Sequence, residues 1–333
     1  MAPAEMIVDV HHHYMPALLF DRLAAQAGGK RIVTKEISLT LHPSRKDLDA
    51  HLNSMDEAGV TMSILTDQVQ VMGPDVARAL NDGVAAVEKK HPKRFRSAIH
   101  LPVHQPDEAK RELQRGIDEL GLRAVALLAC HLDIQLDNPI MFPLYEIIQK
   151  NNLPIIIHPQ SKPTGSETTY NLDRCVFRPM ETTQAIVRVM HAVLPRYPDL
   201  RFIMPHLGGG ASSLKGRMMA FFETDDAPIP AQMRGYLKTQ NEQKKFGLTE
   251  RFESLFQRLY FDTAGTGAWQ PALAAAFRVT TADRIMFGTD YPLECKTAAN
   301  VTESLEMIRQ APCSAQEKTA ILGKTAARLF KLQ

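Results

Sequence analysis

Ile7-Val8-Asp9-Val10-His11-His12-His13 is an apolar run that ends in a histidine cluster. Read as a β-strand, its side chains alternate between faces with a period of two. Asp9, His11 and His13 then share one face, while Val8, Val10 and His12 take the other. Two imidazoles two residues apart at a strand end can grip one metal ion together. The run is thus half of a binding site, and the fold turns on whether later strands supply the other half.

Working outward, short β-rich apolar runs recur at Met6–Val10, Met62–Thr66, Phe95–His100, Ala124–Leu128, Pro154–His158, Arg201–Pro205, Leu259–Asp262 and Ile285–Gly288. Between them stand helical patterns such as Arg45–Glu57, Asp75–Lys90, Pro106–Glu119, Pro143–Asn151 and Glu181–Tyr197, with Thr302–Ile308 after the last. Alternating strands and helices imply parallel strands joined by right-handed crossovers. Eight such units in one chain predict an α/β fold of the (β/α)8 TIM-barrel type, as a single domain over 1–333. No Gly-x-Gly-x-x-Gly follows the first strand, which argues against a dinucleotide-binding sheet. Long spacings predict insertions after strands 1 and 6. The first has a possible hairpin at Val33–Leu41; the second includes the polar stretch Asp225–Lys245 and, over 225–250, a candidate subunit contact. The Met218–Phe222 run reads as helix packing and Ser314–Leu332 as helices covering the barrel.

Composition bounds the function. Of 333 residues, 44% are hydrophobic and 23% charged, with a net charge of +2 from 39 basic and 37 acidic side chains, so nothing calls for nucleic acid as a partner. No apolar stretch approaches the ~20 residues that span a bilayer, and no secretory signal pattern opens the chain. Cys130, Cys175, Cys295 and Cys313 form no C-x-x-C pair, which disfavours a cysteine zinc site or a disulfide framework and makes a cytoplasmic setting the expectation.

In a barrel of this type function collects at the carboxyl ends of the strands. Those positions hold His11 and His13, then His158, then His206 running into Leu207-Gly208-Gly209-Gly210, then Asp262, then Asp290 within Gly288-Thr289-Asp290-Tyr291-Pro292. Neutral imidazoles with a carboxylate suit a borderline-soft divalent ion, Zn2+ first and Mn2+ second. The individual residues also have plainer roles open to them. His158 and His206 can cap strands, Asp290 can cap a helix, and Asp9 reads as a supporting carboxylate. Asp262 is balanced between substrate contact and loop support. His100, His104 and His131 read as structural, and Cys295 as a passive thiol. Arg174 and Arg178, in the loop after strand five, are candidates to pair with a substrate carboxylate.

Taken together, Asp9-Val10-His11-His12-His13, His158-Pro159, His206-Leu207-Gly208-Gly209-Gly210 and Gly288-Thr289-Asp290-Tyr291-Pro292 resemble the amidohydrolase superfamily, in its amidohydrolase-related branch of muconate semialdehyde and nonoxidative aromatic acid decarboxylases. Met180-Glu181-Thr182-Thr183-Gln184-Ala185-Ile186 looks like that branch's helix after strand five. The resemblance implies metal ligation by His11, His13, His158 and Asp290, with His206 and Asp290 as catalytic acid/base groups. Binuclear members use a carboxylated lysine after strand four; Ala126-Leu127-Leu128-Ala129-Cys130 has none, so one ion is expected. The decarboxylase that defines the branch recognises its acidic substrate partly through arginines near the first insertion, and in the corresponding stretch this chain has the basic residues Arg31, Lys35 and Arg45. It further implies a homodimer or higher assembly. The expected activity is metal-dependent nonoxidative decarboxylation of a small unsaturated or hydroxyaromatic carboxylic acid, with Arg174, Arg178, Asp262 and Tyr291 as candidate substrate contacts. Hydrolysis of a lactone or amide, or hydration of a double bond, is the alternative on the same machinery.

Overall fold

The computed structural model describes residues 5–29, 31–33, 38–160, 169–222 and 251–332. Eight parallel strands lie in chain order: β1 Val8–His13, β2 Met62–Thr66, β3 Phe95–His100, β4 Ala124–Leu128, β5 Pro154–His158, β6 Arg201–Met204, β7 Tyr260–Asp262 and β8 Ile285–Met286. The chain beyond β8 closes on β1, where Val10 N donates to Phe287 O at 2.9 Å and His13 N to Tyr291 O at 2.7 Å. The expected (β/α)8 barrel is therefore what the chain forms. The first insertion contains a helix, Ala17–Ala27, and a small antiparallel hairpin pairing Arg31–Val33 with Ser38–Thr40. The 225–250 contact and Lys35 lie outside the described residues.

The covering helices follow from pattern and end chemistry. The helix Pro74–Lys90 starts with proline, where a missing N–H costs nothing, and carries Asp75 in its first turn and Lys89 and Lys90 in its last. Its buried Ala77, Leu80, Val84 and Val87 recur at helical spacing and face the sheet. The helix Ala211–Phe222 contains the methionine run, and Met218 and Met219 pack against the core between sheet and helices.

Two apolar layers result. One lies between strands and helices. The other fills the barrel with Val8, Val10, Ile64, Ala98, Ala124, Ala126, Ile156, Ile203, Tyr260 and Met286, drawn from all eight strands, and is plugged by Ala326, Leu329 and Phe330 of the C-terminal helix. This lumen corrects the facing inferred from strict alternation. Val8 and Val10 point inward, so an unbroken period of two would turn His11 and His13 outward. The β1–β2 register instead shifts between Asp9 and His12. Such a bulge inserts one residue and reverses the parity beyond it. Asp9 and His12, expected on opposite faces, are hydrogen-bonded to each other at 2.9 Å.

Candidate metal centre and active site

Beyond the bulge, His11 and His13 join His158 from β5 and Asp290 from the segment after β8. One donor atom from each lies within 4.8 Å of the others, and all four residues are buried. Asp290 Oδ1 is 2.9 Å from His13 Nε2 and 3.8 Å from His11 Nε2. Two of the three outer nitrogens are already committed, that of His13 having no hydrogen-bond partner. His11 Nδ1 donates to Asp262 Oδ2 at 2.9 Å, and His158 Nδ1 to Pro159 O at 2.6 Å. That fixes the tautomer leaving each Nε2 with its lone pair facing the cluster. His11 Nε2, His13 Nε2 and Asp290 Oδ1 are buried without a hydrogen-bond partner. Buried polar atoms are otherwise almost always paired, so these converging lone pairs fit a divalent cation.

Electrostatics agree. Burial opposes ionisation of Asp290, but His13, then His11 and His206, hold its carboxyl well below the usual carboxylate range. Burial keeps His158 and His13 below the ordinary histidine value, in the neutral form a metal needs. His11 differs: burial would lower its pKa, yet the carboxylates of Asp262, Asp290 and Asp9 lift it to about 9. At neutral pH its proton must leave before a cation binds.

His206 stands beside this cluster. Its ring stacks on His11 at 5.3 Å and 19°, and Nε2 is unpartnered, 4.0 Å from Asp290 Oδ2. Its side chain is 13% exposed, against 0% for His11 and His13, although Nε2 itself is buried. Burial, followed by the charge of His11, brings its pKa down to about 4, so it is neutral at pH 7. The backbone there is left-handed at His206 (φ 56°) and Leu207 (φ 51°), held by His206 N donating to Asp262 Oδ1 at 3.0 Å. Close glycines permit this. A Cβ on Gly265 would sit 2.9 Å from the His206 ring, and one on Gly209 2.2 Å from Pro179 O.

The remaining candidates separate clearly. Asp262 is a supporting group: Oδ2 takes His11, and Oδ1 takes the amides of His206 and Ala264. Asp9 ties β1 to the β8 segment, accepting from His11 N, His12 Nδ1, Thr289 N and Thr289 Oγ1. Tyr291 is placed away from the cluster, its ring stacked on His12 at 5.1 Å and edge-on to His51 at 5.0 Å. Arg178 pairs with Asp173 at 2.8 Å, and its charge bears on His206. Arg174 is exposed, and its charge and that of Arg178 bear on Glu294. His100 accepts from Asp67 N at 2.9 Å and His131 from Leu128 N at 2.9 Å, so both brace loops. Cys295 lies by Ser304, and burial pushes its thiol up to about 12, leaving it inert.

Two residues outside the expected constellation enter it. Arg45, in the turn Pro43–Lys46, is fully buried, with Nη2 2.5 Å from Asp67 Oδ2 and with Nε and Nη1 unpartnered. Its charge bears on His13. Gln68 Nε2 is 3.3 Å from His158 Nε2. The sequence offers Arg45 only as one of three basic residues near the first insertion, and the packing of that insertion onto β1 and β2 is what makes it interior.

A parallel barrel with a histidine–carboxylate cluster at its carboxyl rim defines a metal-dependent enzyme fold of the amidohydrolase type. The chain belongs to the amidohydrolase family, whose sequence profile matches residues 8–332. It is 26% identical over 305 residues to gamma-resorcylate decarboxylase of a Polaromonas species, covering 85% of this chain and 87% of that protein. Among solved structures, 5-carboxyvanillate decarboxylase from Sphingomonas paucimobilis superposes with a TM-score of 0.80 at 22% identity, over 99% of this chain and 100% of the other. A Polaromonas dihydroxybenzoic acid decarboxylase with bound manganese and the inhibitor 2-nitroresorcinol superposes with a TM-score of 0.76 at 22% identity, over 98% and 97%.

Proposed function

We propose that this chain is a metal-dependent nonoxidative decarboxylase of a small hydroxyaromatic carboxylic acid. The observation that carries the reading is the convergence of donor atoms from His11, His13, His158 and Asp290, with a buried Arg45 whose charge bears on His13 and whose guanidinium keeps unpartnered nitrogens beyond its ion pair with Asp67. A buried cation with free N–H groups calls for an anion, and a carboxylate fits its fork. The relatives that act on hydroxybenzoates support the aromatic class.

His11, His13, His158 and Asp290 would hold one divalent ion, which supplies Lewis-acid polarisation of substrate oxygens and absorbs developing negative charge. Zn2+ suits the donor set, and the manganese of the dihydroxybenzoate enzyme makes Mn2+ its rival. Arg45 anchors the substrate carboxylate and fixes the ring against rotation. The carboxylate C–C bond breaks, carbon dioxide leaves, and the electron pair stays on the ring carbon, which takes a proton. His206, neutral and with an unpartnered Nε2, takes that proton from water and passes it on. Asp290 is ionised and serves as a donor only after accepting a proton, across the 4.0 Å that separates it from His206. Arg178 adds positive charge at the rim and favours entry of an anion.

The reading includes a cytoplasmic enzyme, supported by four cysteines none of which is in a disulfide. It includes a homodimer or higher assembly, supported by exposed Tyr170, Val176, Met180 and Trp269. The test is a panel of hydroxybenzoates, muconate-type acids, lactones and amides offered to protein reconstituted with Zn2+ or Mn2+, with carbon dioxide detected directly. Release from a hydroxybenzoate is expected. Turnover of lactones or amides alone would overturn the proposal.

A further inference from the structure

A second pair of buried histidines, apart from the donor cluster, links β1 to the turn that bears Arg45. His12 Nδ1 donates to Asp9 Oδ2 at 2.9 Å, and its Nε2 faces His51 Nδ1 at 2.7 Å. His51 Nε2 donates to Ser44 O at 2.8 Å, because a carbonyl can only accept. His51 is fully buried in the first turn of the helix Leu48–Ala58, with Tyr14 and Tyr291 edge-on to its ring at 5.4 and 5.0 Å. The peptide it grips is the one leading into Arg45. On the other side of Arg45, its own carbonyl accepts from Met15 N at 2.9 Å. Two of the tethers on this turn thus come from the chain just after β1 and from a ring bonded to it.

We infer that His51 is a positioning residue that aims Arg45 at the anion site, by fixing the Ser44–Arg45 peptide relative to the bulged end of β1. The inference rests on the reading that Arg45 receives the substrate carboxylate. A guanidinium with two unpartnered nitrogens and a single ion-pair partner, Asp67, has little else to set its direction. The hydrogen bond at Ser44 restricts the backbone from which the long side chain starts. Asp9, which anchors the other end of the relay, also holds Thr289 beside Asp290. One chain of hydrogen bonds therefore sets the β8 metal-binding segment and the anion-binding turn in a common frame.

The two nitrogens of His51 can be tested separately. Asparagine reproduces the reach of Nδ1 and keeps the contact to His12, whereas glutamine reproduces the reach of Nε2 and keeps the contact to Ser44. Metal-loaded protein is titrated with 2,6-dihydroxybenzoate and with resorcinol, the same ring without the carboxylate. His51→Asn is expected to weaken 2,6-dihydroxybenzoate roughly tenfold, the scale of one lost buried hydrogen bond, and to leave resorcinol within about twofold. His51→Gln, which keeps the Ser44 bond and gives up only the link to His12, is expected to bind 2,6-dihydroxybenzoate more tightly than His51→Asn does and more weakly than the parent, with resorcinol again within about twofold. In an Arg45→Met background His51→Asn should add nothing further. Equal weakening of both ligands, loss of metal, a Gln variant as poor as the Asn variant, or an undiminished His51→Asn effect without Arg45 would each overturn the positioning role. If Arg45→Met alone leaves 2,6-dihydroxybenzoate binding unchanged, the anchor reading itself falls, which is a separate outcome.

Discussion

Replacing Asp262 by asparagine changes one atom of a side chain that supplies no donor to the cluster, yet it should disable the first metal donor. Asp262 Oδ1 accepts the amides of His206 and Ala264, both at 3.0 Å, and Oδ2 accepts His11 Nδ1 at 2.9 Å. An asparagine that keeps its oxygen on the two amides must turn its NH2 to His11. His11 Nδ1 then has to accept, its hydrogen moves to Nε2, and the lone pair aimed at the cluster is gone. The flipped amide keeps His11 correct but sets its NH2 against two buried N–H groups, each costing about 1–3 kcal/mol when unsatisfied. Either route predicts metal binding about 10–100-fold weaker, or about 1.4–2.7 kcal/mol. The comparison belongs at pH 9. In the parent, the carboxylates that outweigh burial raise His11 to about 9, so below that pH its bound proton competes with metal. The variant sheds most of that competition, and the gap narrows toward pH 7. Competition titration of metal-free protein against a chromogenic chelator measures both. Metal affinity within twofold of the parent at pH 9 would refute the tautomer argument.

Other outcomes follow from the same geometry. His206→Ala should retain full metal by elemental analysis and lose about 10²–10⁴ in turnover, the range for a removed acid/base group; stoichiometric metal loss would make His206 a ligand. Gly265→Ala should act like a weaker His206 variant, because its φ of 66° is strained for alanine by about 1–2 kcal/mol and its Cβ would press on the His206 ring at 2.9 Å. Here turnover falls while metal content holds, and unchanged kinetics would contradict the stated packing. Acid stability should reflect His100, which burial lowers from 6.5 to about 4. Between those values the unfolded chain binds the proton and the folded one does not, so stability is lost as pH falls from 6.5 to 4 and levels off below. The loss is about 3 kcal/mol in total. Urea unfolding of the parent and His100→Gln over this range should show the slope reduced in the variant; identical slopes would exclude His100 as its source.

Much of this centre was legible in the order of residues. Eight apolar runs alternating with helical patterns specify a barrel, and a barrel collects its strand ends in one cup, so His11, His13, His158, His206 and Asp290 were legible as neighbours despite their separation in the chain. The same reasoning located the loop glycines beside His206. It misjudged how β1 delivers its histidines, because alternation is a rule for regular strands and a bulge breaks it without a distinctive residue to announce it. Val8 and Val10 belong to the lumen, and the extra residue lets His11 and His13 turn inward after them.

The set of chemical groups and their order are written in the chain: imidazole nitrogen donors, one carboxylate and a strand-by-strand frame that brings them to one rim. These follow from short-range periodicity and side-chain chemistry, which are properties of the chain alone. Folding alone settles which nitrogen of His11 and His158 is free, that Asp262 is spent on orientation, and that Arg45 is interior. Two of those depend on a partner well separated in sequence, Asp262 for His11 and Asp67 for Arg45. A hydrogen bond selects a tautomer or a direction only once folding has brought its two ends within about 3 Å.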